Sequence, residues 1–292
     1  MLAATILILG VNWPLQKIAL RSVTPLWFSV FRVGGAAVVI GVLNLATGRL
    51  RWPPRQDWSV ILSFGLFRIA AVLGLVLSAL KLVPPGRSSV LVYTASLWAV
   101  PIAAVFLRER MSPLRWIGLA VGIGGIVLLF EPWRFVWSDG QTLLGHGFLL
   151  LAALMTASIA VHIRGHRWRV NPLDVLPWQL FVAVGVLLGL ALVVEGRPVV
   201  HWSWPFVANL TYQALLATGF ALWAQQTVLR HLRATSTVFL MMAVPVVGLG
   251  SSILVLHETI SAVGLLGVAA ILGGVAASVA ADARAAEAAP LA

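Results

Sequence analysis

A segment that occurs twice sets the strongest limit on the fold. Leu107-x-Glu109-x-x-Ser112 is followed by Gly118, Ala120, Gly124 and Gly125, and Leu256-x-Glu258-x-x-Ser261 by Gly267, Ala269, Gly273 and Gly274, each pair separated by 149 residues. Each copy lies between two apolar stretches, so the chain reads as a duplicated unit. A period of about half the chain is far longer than a solenoid repeat and matches the internal repeats of transporters.

The apolar stretches decide the solvent. Hydrophobic residues make up 60% of the 292 residues and charged residues 10%, with a mean hydropathy of +0.99. A water-soluble domain of this size does not reach those values, so the chain reads as an all-α polytopic membrane protein. Spans of about 20 apolar residues fall near 2–20, 27–47, 58–80, 87–107, 113–130, 146–164, 175–194, 205–228, 234–256 and 262–281. The first is taken as a span, not a signal peptide. This gives ten transmembrane helices as two inverted five-helix repeats around a central cavity: 1–140, 141–281, and a tail over 282–292 expected to fray.

Charge sets orientation. The net charge of +11 could suggest nucleic acid, but the basic residues sit in short clusters between apolar runs. Twelve Lys and Arg fall on one set of alternating connections and five on the other, which predicts both termini on the cytoplasmic side of the cell's inner membrane. Five helices per repeat is an odd number, so the second repeat enters the bilayer in the opposite sense. Glu109 and Glu258 then lie on opposite faces as helix-end anchors, expected to pair with Arg108, Arg110 or His257.

Polar side chains at membrane depth usually face a bundle interior or a wet path. Asn12, Gln16 and Lys17 are such residues on the first helix, Arg68 on the third and Tyr93 on the fourth. His162 lies on the sixth, and Tyr212, Gln225 and Gln226 lie on the eighth. Arg32 is read as a snorkelling or helix-pairing residue, and Arg68 as either a cavity residue or one tied to backbone carbonyls. Trp13, Trp98, Trp178 and Trp223 are indoles inside spans, where a partner or a cavity is needed. The predicted substrate contacts are Asn12, Trp13, Gln16, Lys17, Tyr93, Trp98, His162, Trp178, Tyr212, Trp223 and Gln226. Pro84, Pro85, Gly86, Pro101 and Pro245 are hinge candidates. All nine acids fall in connections or at helix ends, which disfavours exchange of cationic drugs for protons. Interior cations and aromatics suit a carboxylate with an apolar body. There is no phosphate loop or metal-ligand spacing, so no cofactor, metal or catalytic residue is expected. A membrane enzyme or flippase for lipid-linked substrates is the weaker class. The glycines of the fifth and tenth helices predict a closely packed scaffold pair or a dimer seam; monomer and homodimer stay open.

Gly10-x-Asn12 with Lys17, Arg32, and the two Leu-x-Glu motifs each followed by a Gly-Gly helix resemble the drug/metabolite transporter superfamily, in particular its ten-helix exporters of the EamA type. Gly86-Arg87-Ser88-Ser89 leading to Tyr93 and Trp98 is similar to the bacterial aromatic amino-acid exporter branch. The resemblance implies a ten-helix basket whose cavity is lined by helices 1, 3, 4, 6, 8 and 9, moving amino acids or related small metabolites. Ser96 stands where many relatives have proline, while Pro245 keeps it.

Overall fold

The computed structural model describes residues 2–106, 112–131, 133, 139–166, 171–224 and 243–287. Among the described residues there are ten helices and no strand. They are α1 (Leu2–Ala19), α2 (Pro25–Ala46), α3 (Arg55–Leu82), α4 (Pro85–Phe106), α5 (Pro113–Phe130), α6 (Gly140–Gly165), α7 (Pro172–Val194), α8 (starting as Trp204–Ala214 and described to residue 224), α9 (Ala243–Leu256) and α10 (Ala262–Glu287). By length and composition α2, α3, α4, α6 and α7 can each cross a membrane, and shorter apolar helices run over Trp116–Leu129, Ala243–Leu256 and Ala262–Ala277. The protein is an all-α polytopic membrane protein.

Two helix ends differ from the hydropathy reading for local chemical reasons. α6 begins at Gly140 rather than 146, because Asp139 accepts from the Thr142 amide and hydroxyl at 3.3 and 2.6 Å and so caps a polar first turn. α10 continues to Glu287 instead of fraying after 281, since Ala, Arg and Glu are strong helix formers. The predicted end of helix 8 and start of helix 9 lie outside the described residues.

Three interruptions are set by the backbone. α3 is π-helical over Phe64–Ala71 and α8 over Leu215–Phe220, corresponding places in the two halves of the chain. α4 breaks at Thr94, ahead of Pro101. There the Thr94 amide and hydroxyl both reach back three residues to Leu91 O, at 3.1 and 2.6 Å, which tightens the turn. The helix continues through Pro101 itself.

Pairing of helices follows a two-fold pattern. α5 packs along α10, α2 along α7, and α4 along α9. The α1–α9 contact is mirrored by α6–α4, α3–α6 by α8–α1, and α3–α7 by α8–α2. Exchanging each helix for the one five places on maps these pairs onto one another. At the α5–α10 seam the backbones nearly touch: a Cβ on Gly267 would fall 2.5 Å from Leu129 N, and one on Gly125 2.7 Å from Ile271 N. Only glycine permits that approach.

At one end of the bundle, carboxylates from the second half cap helices of the first. Glu195 accepts from Thr24 Oγ1 at 2.5 Å and from the amides of Leu26 and Trp27, both at 3.1 Å. Those amides belong to the first turn of α2, where Pro25 has no donor to satisfy and negative charge is favoured.

Candidate functional site: a cavity at the middle of the bundle

The cavity follows from helical spacing. On α1 the stripe Leu9, Asn12, Trp13 and Gln16 repeats at three- and four-residue steps and so forms one face. That face lines a cavity of about 420 Å³, within the range of roughly 300–1,000 Å³ usual for small-molecule sites. Arg32 of α2 and Arg68, Ile69, Val72, Leu73 and Val76 of α3 complete one side. α4 contributes Val90, Val92, Tyr93, Ala95 and Ser96, more consecutive residues than one face of a regular helix can present. The break at Thr94 permits it. Thr156, Ala217, Thr218, Ala221, Leu222, Pro245, Ile271, Leu272 and Val275 close the rest.

The interruptions place the cavity's polar groups. Within the π turn of α8 the Thr218 hydroxyl donates back to Gln213 O at 2.8 Å, five residues earlier, and the local ladder is altered. Arg32, only 6% exposed, donates through Nε to Thr218 Oγ1 at 2.6 Å and through Nη2 to Ala217 O at 3.3 Å. Arg68 sits in the π turn of α3 and lines the same cavity as Tyr93. No carboxylate lines the cavity among the described residues.

Four polar atoms of lining residues are buried without a hydrogen-bond partner among the described residues: Asn12 Oδ1, Gln16 Oε1, Arg32 Nη1 and Thr156 Oγ1. Each such atom costs about 1–3 kcal/mol of uncompensated desolvation.

Of the predicted contacts, Asn12, Trp13, Gln16 and Tyr93 line this cavity. The other described ones lie elsewhere. Lys17 donates to the carbonyls of Leu80 and Val83, the latter at 3.3 Å, tying the end of α1 to the end of α3. Trp98 packs on Ala153 and Ala157 of α6, its Nε1 buried without a partner among the described residues. Tyr212 donates to Ile8 O at 2.7 Å and Asn209 to Leu15 O at 2.8 Å, fastening α8 to α1. Trp178 donates to Arg51 O at 3.0 Å and joins Trp52, 4.7 Å away edge-on, and Trp58 in an aromatic cluster near the start of α7. His162 is exposed and lines a separate cleft with Ile102, Phe106 and His166. Trp223 is 42% exposed, 5.8 Å from the Phe220 ring. Gln225 and Gln226 lie outside the described residues.

Among the hinge candidates, Pro245 lines the cavity and receives Ser89 Oγ at 3.4 Å on its carbonyl. Pro84 is the extended residue before α4, Pro85 its first residue, and Gly86 donates its amide to Glu258 Oε2 at 3.0 Å. Glu258 therefore caps α4, while Arg108 and Arg110, two of the expected partners, lie outside the described residues. Burial holds its carboxyl above the ordinary carboxylate range, against the opposing pull of the Gly86 amide, Lys17 and Arg87. Nearby, Glu131 accepts from Ser261 Oγ at 2.8 Å and lies 3.6 Å from Arg87. Glu109 lies outside the described residues.

The two arginines are what the sequence reading underweighted. Their depth was legible, but depth alone does not tell a helix-pairing cation from one facing a cavity.

A helical membrane bundle with a mid-bundle cavity is an arrangement that membrane transporters use. The chain belongs to the EamA-like transporter family, whose model matches residues 1–131 and 143–280. It is similar to the transporter YoaV of Bacillus subtilis, 26% identical over 92% of each chain. It is also similar to a probable amino-acid metabolite efflux pump of Escherichia coli, 23% identical over 92% of this chain and 90% of that protein. A riboflavin transporter of Rhizobium johnstonii is 28% identical over 65% of this chain and 60% of its own. One solved crystal structure shares the fold, with a TM-score of 0.68 and 20% identity over 97% of each chain.

Proposed function

We propose that the protein exports amino acids, aromatic ones favoured, or related small metabolites by alternating access through the mid-bundle cavity. The observation that carries this reading is the lining itself: Arg32 and Arg68 beside Trp13 and Tyr93, with no described carboxylate. Guanidinium groups match a carboxylate, and the rings suit an aromatic or apolar body, each ring contact contributing about 0.5–1.5 kcal/mol. A cationic drug would meet two like charges and no counter-ion. The similarity to a probable amino-acid metabolite efflux pump supports the substrate class. The two-fold helix pairing supports repeats 1–140 and 141–281 of opposite sense, which lets one half rock against the other around a fixed site. The distribution of basic residues supports an inner-membrane protein with both termini cytoplasmic.

Counterflow of labelled L-Phe and L-Trp in proteoliposomes tests this, across an amino-acid panel with and without a pH gradient. The expected result is uptake of at least one amino acid, reduced tenfold or more by Arg68→Ala, in line with the loss of about 1.5–3 kcal/mol from a charged hydrogen bond. With no acid described at the cavity, the pH gradient should leave net flux unchanged. Absence of counterflow for every amino acid, in protein shown to be folded, would reject the proposal.

A further inference from the structure

Besides the Thr156 hydroxyl, the buried atoms of lining residues without partners among the described residues are of two opposite kinds, and they sit on different helices. Asn12 Oδ1 and Gln16 Oε1, on residues 5% and 3% exposed, are acceptors one turn apart on α1. Arg32 Nη1 is a donor on α2, and the Arg68 guanidinium faces the same cavity from α3. An ammonium group brings three donors and no acceptor, and a carboxylate brings two acceptor oxygens and no donor. One ligand carrying both groups on neighbouring atoms would satisfy both sets. From this geometry we infer that the site reads the amino-acid zwitterion at two subsites, with Asn12 and Gln16 taking the ammonium and Arg32 and Arg68 the carboxylate. The inference rests on the amino-acid reading above and adds how the head group is recognised.

Net charge alone predicts something different. Two cations with no lining acid would favour a plain carboxylate at least as much as a zwitterion, since the ammonium is repelled. Two-subsite recognition reverses that order. A carboxylate without an amino group leaves the α1 amide oxygens buried and unfilled, and sites built to hydrogen-bond a group discriminate strongly against ligands lacking it. An amine without a carboxylate leaves the guanidiniums unfilled and adds repulsion, so it should bind worst.

The experiment is competition against labelled L-Phe counterflow by 3-phenylpropionate, which lacks the ammonium, and by phenethylamine, which lacks the carboxylate. Unlabelled L-Phe should compete at least about tenfold better than 3-phenylpropionate, with phenethylamine weaker still. In Gln16→Leu, and separately in Asn12→Leu, the gap between L-Phe and 3-phenylpropionate should shrink to within about threefold while phenethylamine stays excluded. The ranking in the unaltered protein needs no variant, so a misfolded variant does not rescue the idea. If 3-phenylpropionate competes as well as L-Phe, the two-subsite assignment is wrong while amino-acid transport stands. If no amino acid moves at all, the functional reading falls and takes this one with it.

Discussion

Glu258 shows how one side chain can hold two halves of a membrane protein together. It lies two residues past the end of α9, reaches the first turn of α4, and accepts the Gly86 amide at 3.0 Å. A Cβ at position 86 would fall 2.5 Å from the carboxylate oxygen and 2.8 Å from Leu249 Cδ1, so a larger residue would have to displace these side chains. Burial is the largest influence and raises the carboxyl's proton affinity above its ordinary value of 4.5. With the folded value raised, burial of the protonated carboxyl favours the folded state most at pH below 4.5, and that advantage is lost as pH climbs through the raised value. Glu258→Gln keeps an acceptor for the amide and removes the titration. The apparent Tm in detergent should therefore fall more steeply between about pH 4.5 and 7 in the unaltered protein than in the variant; parallel curves would exclude this residue as the source. The sequence marked Glu258 through its repeat but did not show that it reaches α4. Local spacing offers its neighbour His257, whereas the amide it accepts from is 172 residues away.

Between helices, the α5–α10 seam makes a contrast that neither propensity nor composition alone would produce. Gly125 and Gly274 face backbone atoms of the opposite helix, at 2.7 Å from Ile271 N and Gly122 N respectively for an added Cβ, while Gly124 and Gly273 have nothing within 4 Å. Gly125→Ala and Gly274→Ala should each destabilise by about 1–3 kcal/mol through overpacking. Gly124→Ala and Gly273→Ala should be neutral or gain up to about 1 kcal/mol from helix propensity. Thermal unfolding in detergent reads the difference, and equal effects at all four would mean the seam is not packed this way. This seam was legible because glycine spacing reports close approach directly. The π turns of α3 and α8 and the break at Thr94 were not: an apolar run fits a regular or a bulged helix equally well. Pro101 drew attention as the visible breaker, yet Thr94 turns the chain by hydrogen-bonding its own backbone. Those unseen interruptions decide which residues enter the cavity. That is why Arg68 and Tyr93 meet there, while Trp98, at similar depth on the same helix, packs against α6.

For the whole molecule, the principal helix pairs map onto one another when each helix is exchanged for the one five places on, and the cavity lies among them. The duplicated motif at 149 residues foretold the pairing because it is a property of the chain. It could not foretell the lining, because Arg32 and Arg68 have no cationic counterparts in the second half. The shared fold positions the site, and departures from the repeat give it chemistry. The central claim, that substrate occupies this cavity, can be tested cleanly because the chain has no cysteine. Ser96 lines the cavity, so Ser96→Cys would introduce a single thiol at the site. In a variant that retains counterflow, saturating L-Trp or L-Phe should slow labelling of that thiol by a small, membrane-permeant maleimide several-fold. A labelling rate unchanged by an amino acid that the same vesicles transport would contradict the account.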